Sequence, residues 1–497
     1  MRVSDNQIYS SALSNMNESL SNLMHLNMQN SSQKKMLLPS DNPTGMATAL
    51  NLHSHNGALT HFLENVKSAQ GWLNLGDNVL GEASKAVIKI TELAQQASTG
   101  TYDYDQRLSI AKQMRQMLGS LMNQANTRFA DKSIFAGHKV EVEPFRPILG
   151  ATMLDENLKD SDLTSINGSA LKSVRVEFTS TGVVGGVAPL NYKYSTDAGK
   201  TWKTGALAAG STEVDLGTCK ATLKNGIGVT AASDKSGTRF NIRPAIEYLG
   251  DDSDGVDVIK LTESPLATST TGKFAARVNV RIDNSGALPG PVKYSFSTDG
   301  GSSWVTGNVS TDGKLAIPGG TLNLTNGTGN TFKASDQFAV APNTADISLS
   351  LSRTQSVVVN NVGKDVFGGM YKKPGDTSLT KAMPDSPEKN LFETVGRLIG
   401  AVETNDVNSI GEALADLKKS HAYLESVNAT VGGRVNLTDF VLNSLNMRKD
   451  NNNAYLSNIE SADISEIMSN LKKSELVYTS VIQTNKIIME LNSISVI

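Results

Sequence analysis

Apolar and small residues in the N-terminal part of the chain recur at alternating steps of three and four. The run comprises Leu59, Phe62, Val66, Ala69, Leu73, Gly76, Leu80, Ala83, Val87, Ile90, Ala94 and Ala97. This spacing is a heptad pattern sustained over five repeats, and it predicts a coiled-coil helix about 60 Å long. A further helix is predicted after the break at Gly100.

The C-terminal part of the chain repeats this pattern. Its seam comprises Val407, Ile410, Leu414, Leu417, His421, Leu424, Asn428, Val431, Val435, Thr438, Leu442 and Leu445. The pattern predicts a second long helix, with a polar residue, Asn428, inside the seam. We expect Asn428 to cost stability and to fix the register of the helices.

The sequence between about Val140 and Gly369 differs in composition and pattern, with alternating β-branched and polar residues, many glycines and frequent turn dipeptides. These features predict β structure. The segment that starts at Val174 and ends at Trp202 is echoed about 100 residues later, from Ala276 to Trp304. Two tandem β-rich modules are therefore predicted.

The predicted fold class is a multidomain α plus β protein. Both chain ends contribute to a discontinuous, antiparallel α-helical coiled coil or bundle, into which the two β-rich modules are inserted. The expected boundaries are residues 1–145 and 365–497 for the helical domain, and 170–262 and 273–362 for the modules. Residues 262–272 are expected to link the modules.

Composition and charge remove several classes of function. The net charge is -3, so there is no large positive field to attract nucleic acid or anionic lipid. We predict no nucleic-acid partner and no membrane partner, and the first residues show no apolar segment of a cleavable signal. Cys219 is the only cysteine, which excludes an internal disulfide.

The pattern Ser-x-Asp-x-Gly-x-x-Trp occurs twice, from Ser195 and from Ser297. It resembles the Asp-box of sialidases and other sugar-active β-propellers. The predicted role is structural, because the aspartate accepts backbone N–H groups, the glycine supplies a positive φ and the tryptophan packs over the hairpin. The turn residues are Asp197, Gly199, Trp202, Asp299, Gly301 and Trp304. Surface glycan binding is the alternative.

No other motif predicts catalysis or cofactor binding. The acidic cluster Asp251, Asp252, Asp254 and Asp257 departs from a calcium loop at its glycine position. The six histidines form no metal pair on one helix face, and no phosphate-binding loop or nucleophile elbow occurs. We predict no enzyme activity, no metal and no cofactor.

Several segments in the two helical ends resemble the flagellin superfamily, and more closely its hook–filament junction proteins. They are Met1 to Ser4, Leu38 to Pro43, Ser133 to Gly137, Asp365 to Gly369, Asn390 to Phe392, Val431 to Arg434 and Asn458 to Asp463. Two departures are Asn42, where an aspartate is commoner, and the C-terminus from Ser493 to Ile497.

The resemblance implies a structural subunit that polymerises at the junction between flagellar hook and filament. The implied partners are other copies of the chain in a ring, an adjacent hook-associated protein, flagellin and a cytosolic export chaperone. The implied location is the extracellular flagellum, reached through the flagellar export apparatus. Flagellin itself is the alternative within the structural class, and a secreted glycan-binding protein is the alternative outside it.

The terminal segments, residues 1–35 and 463–497, carry more apolar surface than a lone helix exposes. We expect them to be mobile in the monomer and to fold against neighbouring subunits. The predicted assembly interface comprises Leu13, Met16, Leu20, Leu23, Ile467, Leu471, Tyr478, Val481 and Ile488.

Overall fold

The computed structural model describes residues 2–155, 158–233, 236–251, 255–272, 274, 276–343, 345–372, 379–383 and 386–494. The chain divides into two compact units. The terminal unit comprises Met1–Ser68, Ser350–Gln355 and Leu437–Ile497, and the insert unit comprises Ala69–Leu349 and Ser356–Asn436. The described residues form both helices and strands, which confirms the predicted mixture of α and β structure.

The described residues contain seven α-helices. They are α1 (Arg2–Ser32), α2 (Pro43–Ser98), α3 (Tyr104–Ala125), α4 (Gly363–Phe367), α5 (Leu391–Glu403), α6 (Val407–Glu460) and α7 (Ile464–Ile494). Local sequence sets several of the starts. Pro43 occupies the first position of α2, and Asn42 Oδ1 accepts the N–H of Gly45 at 3.0 Å. Asp103 and Gln106 form a capping box at the start of α3.

Most positions of the two heptad patterns are buried within the insert unit. On α2 they are Ala69, Leu73, Leu80, Ala83, Val87, Ile90, Ala94 and Ala97, and on α6 they are Ile410, Leu417, Leu424 and Val431. Val407, the first residue of the second pattern, is exposed because it lies at the start of α6. Asn428 Oδ1 is buried and has no hydrogen-bond partner among the described residues.

Helices α2 and α6 run antiparallel in each unit. In the insert unit Ser84 Oγ lies 2.8 Å from His421 Nε2, and Gly76 faces Val431. In the terminal unit Asn56 Nδ2 donates to Asn453 Oδ1 at 2.8 Å, and His53 lies beside Glu460. Residue numbers therefore rise along one helix as they fall along the other. Coiled-coil packing of this pair stays a prediction.

The strands form several sheets. The first twelve are β1 (Arg128–Phe129), β2 (Lys132–Ser133), β3 (Phe145–Met153), β4 (Leu163–Gly168), β5 (Val174–Phe178), β6 (Gly182–Val183), β7 (Leu190–Ser195), β8 (Lys203–Leu207), β9 (Glu213–Asp215), β10 (Cys219–Leu223), β11 (Gly228–Val229) and β12 (Arg239–Tyr248). The next twelve are β13 (Gly255–Lys260), β14 (Ala267–Gly272), β15 (Val278–Ile282), β16 (Gly286–Ala287), β17 (Val292–Ser297), β18 (Val305–Ser310), β19 (Lys314–Ile317), β20 (Gly320–Thr325), β21 (Thr331–Phe332), β22 (Gln337–Asn343), β23 (Ser348–Ser350) and β24 (Ser356–Val358). The last two are β25 (Met370–Tyr371) and β26 (Thr380–Lys381).

Two hydrophobic β cores are formed by these strands. The first is built around a seven-stranded sheet in the order β26-β25-β12-β5-β7-β8, with β3 also paired to β12, and its buried residues lie between Ala151 and Ile242. The second is built around a five-stranded sheet in the order β13-β22-β15-β17-β18, and its buried residues lie between Leu266 and Val340. Strand β13 pairs with β22, and β14 with β20, so both lie in the second group although they precede residue 273.

Buried polar contacts hold helix α5 against the first sheet. The Arg243 guanidinium on β12 pairs with the Glu393 carboxylate on α5, and both side chains are almost fully buried. Gly396 and Gly400 of α5 lie against Arg243, where an added Cβ would come to 2.9 Å from its guanidinium and 3.2 Å from its Cβ. The two glycines therefore let α5 approach the sheet closely enough to enclose this ion pair.

A second ion pair joins α3 and α5. Arg115 Nε and Nη2 donate to the two carboxylate oxygens of Glu403 at 2.5 and 2.7 Å. Glu403 Oε2 also accepts the backbone N–H of Ser173 at 2.6 Å, just before β5. One buried carboxylate therefore links two helices to the first β core.

Candidate assembly surface

Helices α1 and α7 pack together as an antiparallel pair in the terminal unit. Near one end of the pair, Asn485 Nδ2 donates to the Ala12 carbonyl at 3.2 Å. At the other end the N–H of Ala462 donates to the Gln33 carbonyl at 3.1 Å, and the N–H of Lys35 donates to the Glu460 carbonyl at 2.7 Å. The two segments that flank this pair are thus joined by backbone hydrogen bonds.

A cluster of charged residues lies at the same joint. Glu460 Oε2 lies 3.2 Å from Lys34 Nζ, and Glu460 Oε1 lies 2.8 Å from His53 Nε2. Burial raises the pKa of Glu460, but the hydrogen bonds from His53 and Lys34 outweigh it and leave the pKa below its ordinary value. Asp41 Oδ2 accepts the N–H groups of Leu37 and Leu38, both at 2.9 Å, which lowers the pKa of Asp41.

Most of the predicted interface residues on α1 and α7 are partly or fully buried. Ile467 is buried, and the half-buried residues are Met16, Leu20, Leu23, Leu471, Tyr478 and Val481. Leu13 is exposed, and the side chain of Ile488 lies outside the described part of the chain. The pairing of the two helices within one chain therefore uses much of the apolar surface that the sequence singled out.

Other apolar side chains of the helix pair stay in solvent. Ile464, Met468 and Ile482 of α7 are 48%, 41% and 42% exposed, and with Glu475 they recur at steps of four and seven on one helix face. These four residues are termed the α7 strip. On α1 the exposed apolar residues are Tyr9, Leu13, Met24 and Met28, which also share a face and are termed the α1 strip.

The two helices also border an open groove of about 1020 Å³, with Leu476 and Val477 exposed on its α7 side. The sequence alone did not distinguish the apolar residues of the strips and of this groove from those that become buried between α1 and α7. One feature of the sequence could have indicated them. The apolar residues of α7 cover more than one face of the helix, and a single partner helix therefore leaves some of them exposed.

The first Asp-box closes the turn between β7 and β8. Asp197 Oδ1 accepts the N–H of Thr201 at 2.8 Å, and Asp197 Oδ2 accepts its hydroxyl at 2.5 Å. These bonds, with one from the hydroxyl of Ser195, lower the pKa of Asp197 to about 2. Gly199 has φ +86°, and Lys193 Nζ lies 4.3 Å from the centre of the Trp202 ring.

The second Asp-box repeats the geometry between β17 and β18. Asp299 accepts the N–H of Ser303 at 2.9 Å and also its hydroxyl, which lowers the pKa of Asp299. Gly301 has φ +102°. Trp304 Nε1 donates to the Gly301 carbonyl at 3.1 Å, and the Arg281 guanidinium lies 4.7 Å from the Trp304 ring. In both boxes the carboxylate is fully engaged in closing its own turn.

The remaining candidate groups show no reactive cluster. Among the described residues, no group of three or more His, Cys, Asp and Glu side chains has an arrangement that suits a metal ion. Asp252 and Asp254 of the acidic cluster lie outside the described residues. Cys219 is buried, and burial raises the pKa of its thiol.

In the described part of the chain, no helix combines the length and apolar character needed to cross a bilayer.

Comparison with known families gives one match in the N-terminal region. Residues 3–140 match the family model described as the bacterial flagellin N-terminal helical region. These residues include α1, α2 and α3. The predicted resemblance to the flagellin superfamily is confirmed by this match.

Two curated relatives carry the name flagellar hook-associated protein 3. The protein from Salmonella typhimurium is 29% identical over 151 residues, which are 30% of this chain and 48% of that protein. The protein from Escherichia coli is 29% identical over 146 residues, which are 29% of this chain and 46% of that protein. The chain thus spans about half the length of the curated relatives it matches.

The solved structures that match part of this chain include the flagellar junction protein FlgL from Legionella pneumophila, with 14% identity and a TM-score of 0.31 over 83% of this chain and 99% of that one. A putative flagellar hook-associated protein from Vibrio parahaemolyticus gives 9% identity and a TM-score of 0.39 over 85% of this chain and 100% of that one. These values are too low for the superpositions to bear on function.

Proposed function

We propose that the protein is a structural subunit of the bacterial flagellum that polymerises at the hook–filament junction and adapts the hook to the filament. The observation that carries the proposal is the match of residues 3–140 to the flagellin N-terminal helical region. The names of the two curated relatives support the junction over the body of the filament. No catalytic role is part of the proposal.

The terminal helix pair is the proposed assembly element. The α1 and α7 strips expose apolar side chains along two helices, and burial of such surface against neighbouring subunits is favourable by about 25 cal/mol per Å². In the proposed ring, each subunit covers the strips of its neighbours, and the hook-associated protein and flagellin cover the two open rims. This arrangement offsets the entropy lost when the terminal helices become fixed.

The two β cores are proposed to be tandem modules carried by an antiparallel coiled coil of α2 and α6. Two observations support this. The two cores have separate clusters of buried apolar residues, and each core contains one Asp-box with the same geometry. The engaged Asp197 and Asp299 carboxylates favour a structural role for these turns over glycan binding.

Export and assembly are proposed to use the same C-terminal helix. We infer that the chain leaves the cell through the flagellar export apparatus and reaches the extracellular flagellum, with a cytosolic chaperone covering α7 until export. The exposed apolar residues of α7 support this step, because such a surface would otherwise associate prematurely.

Truncation after Ala462 tests the role of α7. The shortened chain is expected to lose both chaperone binding and attachment to isolated hooks, because it lacks the α7 strip. Binding is measured by pull-down with the chaperone and by electron microscopy of hooks. Ser302→Ala, in the exposed turn of the second Asp-box, is the control and should retain both activities. A truncated chain that keeps both would refute the proposal.

A further inference from the structure

A second groove, of about 500 Å³, lies between α2, α6 and the loop that follows β23, all within the terminal unit. Its apolar floor is formed by Leu59 and Phe62 of α2 and Leu445 of α6. It is termed the basic groove, because Arg353 of the loop, Arg448 of α6 and His55 of α2 line it.

The loop that forms one wall of the basic groove is held in place. Leu351 is fully buried, and Asn65 Nδ2 of α2 donates to the Ser350 carbonyl at 2.9 Å. The N–H of Ser352 donates to the Gln355 carbonyl at 3.1 Å, which closes the loop tip. Arg353 therefore stands on a preformed wall, so that binding costs little reordering of the backbone.

Among the residues that the structure describes, the two arginines of the basic groove have no acidic partner. Arg353 and Arg448 are exposed, and neither forms an ion pair with any residue that the structure describes. Two guanidinium groups beside an apolar floor suit an apolar helix that carries a carboxylate, since arginine pairs with carboxylates through two parallel hydrogen bonds.

The α7 strip has this composition. Glu475 lies between Met468 and Ile482 on one face, and among the described residues it forms no ion pair. Lys473 points to the opposite face, and Lys472 lies at the border of the strip, where its long stem keeps the ammonium in water. Within one chain α7 is engaged along α1, so the helix that enters the basic groove belongs to another molecule.

We propose that the basic groove receives the α7 strip of a second copy of this chain, with Glu475 between Arg353 and Arg448. The inference rests on the proposed function, because it specifies how one subunit contacts the next in the assembly. The apolar strip residues cover Leu59, Phe62 and Leu445, and the carboxylate sets the register of the helix along the groove.

Charge reversal tests the pairing in the full-length chain. Arg353→Glu with Arg448→Glu is expected to weaken assembly on isolated hooks by about tenfold or more, because Glu475 then meets like charge. Glu475→Arg alone should weaken assembly similarly. The triple variant should restore attachment, since each groove again meets an opposite charge. Circular dichroism and thermal melting establish that each variant is folded.

The outcomes separate the inference from the proposed function. An unaltered chain that fails to attach to hooks overturns both. An unaltered chain that attaches together with charge-reversed variants that attach equally well overturns the inference alone. Loss of attachment that the triple variant does not restore also overturns it, because the arginines then face a different partner.

Cross-linking tests the same contact without relying on the charge-reversed variants. Thr354→Cys and Thr479→Cys, the latter at an exposed position one helical turn after Glu475, are introduced together so that the Glu475 carboxylate is kept, and a short bis-maleimide is added to the chain assembled on hooks. Covalent dimers and higher multimers are expected, whereas each variant that carries only one of the two introduced cysteines should stay monomeric apart from background. Absence of multimers in the double variant contradicts the proposed contact. The native Cys219 is buried and common to all samples.

Discussion

Single carboxylates organise much of the local structure outside the long helices. Asp197 and Asp299 each close a hairpin turn, Asp103 caps α3, and Glu403 joins α3, α5 and the start of β5. Asp197 and Asp299 each accept several donors at once, which favours the ionised form of these two carboxylates. Stability is therefore expected to depend on the ionisation of a few identifiable groups.

Asp197 gives a prediction about acid stability. Its pKa in the folded chain is about 2, below the ordinary 3.8, so the carboxylate stabilises the fold above the ordinary value and this stabilisation is lost as pH falls toward the folded pKa. Asp197→Asn is expected to melt at a lower temperature than the unaltered chain at neutral pH. The difference should shrink between about pH 4 and about pH 2.

Thermal melting across this pH range makes the measurement. Glu64→Gln, which removes an exposed carboxylate from α2, serves as the matched control. A difference between Asp197→Asn and the unaltered chain that is constant over the whole range would contradict the assignment.

The ion pair between Arg243 and Glu393 gives a prediction about the junction of α5 and the first sheet. Glu393→Ala leaves the buried Arg243 guanidinium without its carboxylate, which typically costs about 3–5 kcal/mol in unfolding free energy. Denaturant unfolding measures the loss. The double variant Arg243→Met with Glu393→Leu should recover most of it, because no buried charge then remains unpaired. Equal stability of the single and double variants would argue against this role.

These residue-level features were predicted from the sequence to different degrees. The Asp-box residues lie within eight positions of one another, so the local pattern specified the turn. Arg243 and Glu393 are separated by 150 positions, and only the packing of α5 on β12 brings them together. Sequence periodicity carries no information about such distant polar partners.

The helices differ in how well their neighbours cover them. Helices α2 and α6 bury rows of apolar side chains, whereas Ile467 is the one large apolar side chain on α1 and α7 that is buried among those described. The packing contribution to α1 and α7 is correspondingly small, since burial of apolar surface provides most helix stability.

This contrast predicts a gradient of amide exchange. In dilute monomer, α1 and α7 are expected to exchange faster than the parts of α2 and α6 in the insert unit, because local opening exposes little buried surface. Assembly on hooks should slow exchange in α1 and α7. Hydrogen exchange with mass spectrometry measures both states, and α2 serves as the internal control. Strong protection of α1 and α7 in the dilute monomer would contradict mobile chain ends.

The heptad pattern predicted the two long helices well, because a period of three and four is a direct property of helix geometry. It did not predict that α1 and α7 pair with each other, since the sequence of one helix does not specify its partner. Which apolar residues of α1 and α7 stay exposed depends on this pairing, so the sequence alone could not identify the two strips.

The whole molecule consists of two units, each built from parts distant in sequence. The insert unit contains both β cores, and the terminal unit contains the α1–α7 pair and the basic groove. The change in sequence texture near Val140 predicted an insertion of β structure. It did not predict that β13 joins the second sheet, because strand pairing depends on contacts between residues far apart in the chain.

Electron microscopy of the purified protein, mixed with isolated flagellar hooks and also left to polymerise alone, tests the central claim most directly. A junction subunit is expected to form short caps on hook tips and no free filaments, because the proposed assembly is a single ring at the junction. Long filaments grown from the protein alone would identify a filament subunit, and an absence of binding to hooks would contradict a role at the junction.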